Sequence, residues 1–339
     1  MLKIIPVLAS VLIASTAIAE TTVIVPYKNT SSTHFLANLA TEHLSKQVTD
    51  ESFKVKNIDG GSGFKAAKIF DNTAKADGKT MMITSGTIAI NYILKGADKA
   101  GYDYKNWKPL FTHSTNGVAV IKPDLISLDN IMKNKPQMIS TGNNIYGYDV
   151  IMALASDILG WNTKMVWGNN SGGKFKAFMS NETNLDHQTY TSYNKRYKKV
   201  VEAGDAIPIF CWGEIVDGQY TRCPDYPNLP HFLEVLEMYN IPTDSVKVRA
   251  WKLAHNAVHY LKAFMVVKKG TPDSTYNKYV AGYEKALITD AFKTPFHKRA
   301  GTSVITIGQP AVDSFENLFN TKDTEALEWL RNFTANYNK

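Results

Sequence analysis

Five short segments of this chain share one chemistry: Asn29-Thr30-Ser31-Ser32-Thr33, Gly60-Gly61-Ser62-Gly63, Thr84-Ser85-Gly86-Thr87, Thr141-Gly142-Asn143-Asn144 and Asn169-Asn170-Ser171-Gly172-Gly173. All are small and uncharged, dense in hydroxyls, amides and backbone N–H groups. Three lead into expected helix starts, where unpaired N–H groups and the helix dipole favour an anion. Such a segment can hold a carboxylate without any arginine, each charge-assisted hydrogen bond contributing ~1.5–3 kcal/mol. The same residue types populate ordinary turns, so a single segment decides nothing. Five at corresponding places along the chain indicate a site.

Other candidate chemistries are weaker. His255 and His259 stand one helical turn apart, a spacing able to bind zinc, but the Glu of the metalloprotease pattern is missing and no third ligand is evident. Gly60-Gly61-Ser62-Gly63-Phe64 breaks the nucleophile-elbow pattern at Phe64 and lacks the Gly-Lys-Ser/Thr ending of a phosphate loop. With no nucleophile and base pair in view, neither an enzyme nor a resident metal or cofactor is expected. Two cysteines exclude a disulfide scaffold and a Cys-based zinc site. Between Cys211 and Cys223, Asp217-Gly218 marks a hairpin turn. A three-residue loop with Gly218 left-handed would set the cysteines opposite each other. A disulfide there would contribute roughly 3 kcal/mol on the chain-entropy model; two unpaired buried thiols are the alternative.

The elements that must position these segments follow from periodicity. Apolar runs predict strands at residues 22–25, 53–58, 80–84, 117–121, 138–141, 207–212 and 263–267. Between them lie helical stripes: Leu36, Ala40, Leu44 and Val48 on one face, then helices near 64–70, 150–159, 276–287 and 323–337. Strands separated by helices imply an α/β fold with mostly parallel sheets, and this length implies two lobes. In such sheets a ligand sits beyond the carboxyl ends of the strands, where these segments lie.

Composition bounds the rest. A 44% hydrophobic fraction over 339 residues supplies a core and excludes a disordered chain. The net charge of +7 is spread along the chain, with no basic stripe interleaved with aromatics, so no nucleic-acid partner is expected. Met1-Leu2-Lys3, an apolar run to Ile13 and Ala17-Ile18-Ala19 before Glu20 read as a cleaved export signal over residues 1–19. The run is shorter than the ~20 residues that span a bilayer. A periplasmic location and an oxidising destination for the cysteines follow as expectations.

In order and content the chain resembles the tripartite tricarboxylate transporter receptor family, the Bug-type extracytoplasmic solute-binding proteins. The segment from Val25-Pro26-Tyr27 to His34 is similar to that family's Val-Pro-Phe strand and loop. Asn57-Ile58-Asp59-Gly60-Gly61-Ser62-Gly63 resembles its Asn-x-x-Gly-x-Gly-Gly loop. Asp77-Gly78-Lys79-Thr80, Tyr102-Asp103 through Pro109-Leu110, Lys122-Pro123-Asp124, Ser140-Thr141-Gly142-Asn143 and Lys269-Gly270-Thr271-Pro272 follow in family order. Thr30-Ser31 replaces the family's Gly-Gly, and His34 stands where Asp is common, so the resemblance is to a divergent branch.

The resemblance implies a two-lobed Venus-flytrap fold closing on a small carboxylate. The first lobe would take residues 20–121 and return with 249–339, including the C-terminal helices; the second would take 122–248. Loops Asn29, Thr30, Ser31, Ser32, Thr33 and His34 from one lobe and Thr141, Gly142, Asn143 and Asn144 from the other would grip the carboxylate. Thr84, Ser85, Trp167, Asn169, Asn170 and Ser171 would complete the pocket. His34 could add a cation at acidic pH or face solvent at the helix start. The aromatics Tyr27, Tyr146, Tyr148, Trp161 and Trp167 admit an aromatic acid, although a di- or tricarboxylate leads. The implied partner is a set of membrane permease subunits served by a monomeric receptor. An exported hydrolase using the same cleft and a ligand sensor for a signalling kinase are the competing readings.

Overall fold

The protein is described here by a computed structural model covering residues 19–216 and 218–337. The expected export signal thus lies, apart from Ala19, outside the described residues, as does Asp217. The chain opens with β1 (Ala19–Val25), α1 (Ser32–Ser45), β2 (Glu51–Asn57), α2 (Phe64–Thr73), β3 (Thr80–Ser85), α3 (Gly86–Ala100) and β4 (Trp107–His113). Residues 114–116 cross to a second lobe of β5 (Gly117–Ile121), α4 (Leu128–Asn134), β6 (Met138–Gly142), α5 (Val150–Ile158), β7 (Thr163–Trp167), α6 (Ser171–Met179), β8 (Leu185–Thr189), α7 (Tyr190–Arg196), α8 (Lys198–Glu202) and β9 (Ile207–Cys211). A hairpin of β10 (Glu214–Val216) and β11 (Gln219–Thr221) leads to α9 (Phe232–Met238) and α10 (Val246–His255). The chain then recrosses through a π-helical turn, Asn256–Tyr260, and closes with β12 (Ala263–Lys268), α11 (Asp273–Ala286), α12 (Asp290–Ala300), β13 (Ile305–Ile307), α13 (Gln309–Phe319) and α14 (Thr324–Asn336).

The first sheet runs in the order β13-β4-β12-β3-β1-β2. Strand β1 pairs parallel with β2 and β3, whereas β12 is antiparallel to both β3 and β4. The first four strands therefore point one way and the returning strand runs against them. Alternate side chains serve two cores. Val23, Val25, Met81 and Ile83 pack with Leu36, Ala40 and Leu44 of α1 and Tyr279 and Tyr283 of α11. Ile24, Met82, Phe264 and Val266 join Phe70, Ile88 and Ile90 on the other face. In the second lobe β5 lies antiparallel between β8 and β9, and β6 is parallel to β7. Asn184 ties the two pieces, its Oδ1 accepting from the Ile139 N–H at 2.8 Å and its own N–H donating to the Ile139 carbonyl at 3.1 Å. The α/β, two-lobed expectation is met.

Some elements differ from the sequence reading, each for a physical reason. Strand β4 carries Pro109, a residue that cannot donate to a ladder and sits in strands at edges or bulges. The register of β12 against β4 shifts between Met265 and Val266, opposite Pro109, and absorbs it. Strand β8 is built from Leu-Asp-His-Gln-Thr, which has no apolar pattern because its buried Asp186, His187 and Gln188 are held by polar partners, Tyr197, Asp149 and Ser171 among them. The hairpin loop has two residues rather than three: Val216 faces Gln219, and Gly218 is left-handed with φ 78°. Cys211 thus ends β9 instead of facing Cys223 across the hairpin, yet the two form a disulfide with Cα atoms 6.4 Å apart.

Candidate functional site

The two crossings are laced together. The Thr115 N–H donates to the His259 carbonyl at 2.9 Å, and His259 Nδ1 donates back to the Thr115 carbonyl at 3.0 Å. The start of α3 sits directly on the returning segment: the Gly86 N–H donates to the Lys262 carbonyl at 2.9 Å. A Cβ on Gly86 would lie 2.4 Å from the Ala257 carbonyl oxygen and 2.6 Å from Val258 Cα, so only glycine permits this approach. Residues 257–262 are thereby held against the amino end of α3, beside Thr87.

A cavity of about 210 Å³ opens between the lobes. The first lobe supplies Ser32, Thr87 and Lys262, and the second supplies Asn143, Asn144, Tyr148, Asp149, Asn169, Asn170, Ser171, Lys174, Gln188, Thr189 and Ser192 among others. Beneath it lies a buried charge cluster. Lys174 Nζ donates to Asp149 Oδ1 and to the His187 carbonyl, each at 2.7 Å, and lies 3.3 Å from Asp186 Oδ1. Asp149 Oδ2 also accepts the Asn143 N–H at 2.8 Å, and His187 Nε2 lies 2.9 Å from Oδ1. Asp186 accepts from Tyr197 Oη at 2.6 Å and Gln188 Nε2 at 2.7 Å.

Burial alone would raise the Asp149 carboxyl, but Lys174 and His187 outweigh it and hold the group well below the usual carboxylate range. For Lys174 burial opposes the charge, and Asp149 with Asp186 keeps the ammonium protonated. Burial and the neighbouring Lys174 push His187 down, so it is neutral at pH 7. The cluster thus holds two carboxylates against one ammonium.

Lys262 is the other lysine of the cavity, and its situation is different. Among the described residues no carboxylate lies within ion-pair distance of it; its Nζ stands 5.4 Å from the centre of the Tyr148 ring. Burial pushes its ammonium down to about 8, which Asp149 partly opposes.

The residues singled out by sequence divide into two groups. Ser32, Asn143, Asn144, Asn169, Asn170 and Ser171 line the cavity together. Thr33 borders an adjoining small recess that also contains Lys262. The remainder support the cleft or face elsewhere. Tyr27 Oη bonds to Ser85 Oγ, which places both side chains beneath the start of α3. Thr84 points to the Tyr104 hydroxyl at 3.4 Å. Ser31 Oγ caps α1 by accepting the His34 N–H at 3.0 Å. The His34 ring lies against Asn38, with Nε2 2.6 Å from Nδ2, while Asn29 and Thr30 are exposed. Thr141 and Gly142 are buried at the end of β6, and Trp167 packs edge-on against Tyr337. Of the five aromatics considered for ring stacking, only Tyr148 lines the cavity.

Sequence reasoning missed Lys174, Gln188, Thr189, Ser192 and Lys262, while it reached Thr87 as the end of one neutral segment and Tyr148 as a stacking ring. An isolated lysine or glutamine carries no spacing signal; only Asp149, immediately before the helical apolar stripe that starts at Val150, could have hinted at a helix-start charge. His255 and His259 stack with ring centres 5.0 Å apart in the hinge and face Tyr220 and Thr115, and burial pushes His255 down to about 3. Among the described residues no group of three or more His, Cys, Asp or Glu is arranged to hold a metal ion.

By sequence the chain matches no protein-family model and no curated protein. Its fold does have solved counterparts. An R. palustris protein, Rpa4515 with adipate, superposes at a TM-score of 0.66 with 18% identity, covering 94% of this chain and 97% of that one. This is the fold of the Bug and TctC-type periplasmic binding proteins. The periplasmic binding protein BugD gives 0.64 at 13% identity over 94% and 97% of the two chains. MatC from Rhodopseudomonas palustris with bound malate gives 0.62 at 14% identity over 93% and 99%.

Proposed function

We propose that the protein is an extracytoplasmic solute-binding receptor that closes its two lobes on a small organic carboxylate. In this reading it is a divergent member of the tripartite tricarboxylate transporter receptor family, exported by residues 1–19 and delivering its ligand to membrane permease subunits. The observation that carries the proposal is the cavity between the lobes, lined from both sides mainly by hydroxyls and amides, with the unpaired Lys262 ammonium on its wall. Structural neighbours described with adipate and malate support the ligand class. Ser32, Asn143, Asn144, Asn169, Asn170 and Ser171 line the ligand, and the laced crossings at 114–116 and 256–262 act as the hinge. The lobes divide at these crossings, so that β5 (Gly117–Ile121), expected from sequence in the first lobe, belongs with β8 and β9 in the second.

Contacts to both lobes favour the closed state, because a ligand shifts an equilibrium only by its differential affinity for the two states. The test is a thermal-shift screen with organic acids and their uncharged amides. A ligand that binds only the folded protein stabilises it by RT ln(1 + [L]/Kd), about 4 kcal/mol at 1,000-fold saturation. Stabilisation by acids and not by amides is the expected result; equal stabilisation by both refutes a carboxylate receptor.

A further inference from the structure

Every polar group facing the cavity can be asked whether the protein already satisfies it. The start of α6 is closed: Asn170 Oδ1 accepts the N–H groups of both Gly172 and Gly173 at 3.0 Å. The start of α1 is capped in the same way by Ser31. Gln188 is engaged at both ends, donating to Asp186 and accepting from Ser171 Oγ at 2.6 Å. Arg196 reaches the cavity only through Ser171, donating from Nη1 to Oγ at 2.9 Å. Lys174 is matched by two carboxylates.

Three groups are left over among the described residues. Lys262 has no anionic partner, Asn144 Oδ1 is buried with no donor, and the Tyr148 hydroxyl is buried with no partner. A buried acceptor without a donor costs free energy comparable to a lost hydrogen bond, so the site is incomplete without a ligand that donates there. The charge cluster adds a constraint. With His187 neutral, Asp149, Asp186 and Lys174 sum to one negative charge under the cavity floor, which favours one cation at Lys262 and opposes a second anionic group alongside it. The rest of the lining, including Ser32, Thr87, Asn169 and Thr189, consists of hydroxyls and amides that both donate and accept, with the Tyr148 ring as the one broad apolar face.

We propose, building on the receptor reading above, that the cavity selects a singly charged, hydroxylated carboxylic acid: its carboxylate pairs with Lys262, and one of its hydroxyls donates to Asn144 Oδ1. This makes Lys262, on the returning crossing, the residue that determines charge specificity. The loops at 29–34 and 141–144 then contact the hydroxylated body of the ligand.

The experiment is calorimetric titration of the purified protein with five six-carbon compounds that vary charge and hydroxylation separately: gluconate, glucarate, adipate, hexanoate and sorbitol. Gluconate is expected to bind at least about tenfold more tightly than the other four. Lys262→Met should weaken gluconate about thirtyfold or more, the range for a charge-assisted hydrogen bond. Asn144→Ala should weaken it about fivefold, with the melting temperature of the ligand-free protein retained in both variants. If adipate or glucarate binds as tightly as gluconate, or if Lys262→Met leaves gluconate affinity within twofold, the inference is overturned and the receptor reading stands. If none of the five binds at 10 mM (a concentration on the order of ten thousand times a micromolar Kd), the inference falls and the screen of organic acids decides the receptor reading; if sorbitol matches gluconate, both fall.

Discussion

Replacing Lys174 by Met keeps the side-chain length and removes the only cation of the buried cluster. Lys174 is 3% exposed, and its two carboxylate partners are 3% and 1% exposed, so water cannot replace the lost charge. Removing one partner of a buried pair costs about 3–5 kcal/mol, because the remaining charge is left uncompensated. For 339 residues unfolding together, an entropy near 2.1 cal/mol/K per residue converts this to a melting-temperature loss of about 4–7 °C. The sign with pH separates charge from packing. In the native protein Asp149 is held low, so its contribution is present above the unfolded carboxyl value of about 4 and is lost as pH falls through the folded value. In Lys174→Met burial raises that carboxyl against only the His187 and Asn143 contacts, and His187, freed from Lys174, takes up a proton more readily. Mild acid therefore relieves the variant, and its deficit should be smaller at pH 5 than at pH 7.5. Adding Asp149→Asn should restore part of the loss at pH 7.5, since the amide oxygen still accepts the Asn143 N–H. Differential scanning calorimetry at both pH values reads all three. A deficit under about 1 °C at pH 7.5, or one that widens at pH 5, would refute the charge account.

Three further outcomes are expected. Carboxylate affinity should fall as pH rises above the bound-state value of Lys262, which starts from about 8 in the ligand-free protein. Over the same range the ligand-free protein gains stability, because the unfolded lysine still binds its proton; the facing groups Tyr148, Asp149, Lys174 and His113 do not titrate in that window in the direction that would mimic this, and calorimetry from pH 7 to 9.5 checks it. Cys211→Ala with Cys223→Ala should cost about 3 kcal/mol in urea unfolding, the loop-closure estimate for so short a loop; two free thiols counted on the unfolded, unreduced protein would show the bond is not made. His34→Ala should leave ligand affinity within twofold, because the ring lies against Asn38 rather than in the cavity, and a larger loss in titration would put it back in the site.

What could be read from the sequence depended on whether a residue's role leaves a pattern. Residues 117–121 form a strand with the expected bounds because five consecutive small or apolar residues are buried on both faces. The α1 stripe of Leu36, Ala40 and Leu44 is equally legible, and Val48 stays in the same core although the helix ends before it. Strand β8 is opaque because its Asp186, His187 and Gln188 look like a loop until Lys174 and Tyr197 are brought to them from elsewhere in the chain. The neutral loops announced a cleft, since small polar residues at strand ends are what a cleft edge requires. Lys262 could not be picked out among the chain's other lysines, because its meaning lies in having no partner, and that is a property of three dimensions. The hairpin shows the limit in miniature: Asp-Gly locates the turn, but one residue of loop length decides which side chains face each other.

The π-helical turn at Asn256–Tyr260 gives the chain's length, and not only its side chains, control over what it recognises. A π turn is an α-helix carrying one residue more in a single turn. Deleting one residue there would let α10 run on as a regular helix and rotate everything after it by about 100°. Lys262 would swing off the cleft wall, while β12 would lose its register with β3 or be forced to stretch. The choice of ligand is thus written partly as an insertion. A relative with the same loops and the same lysine, but one residue fewer in this turn, would present a cleft whose one lysine, Lys174, is already matched by carboxylates.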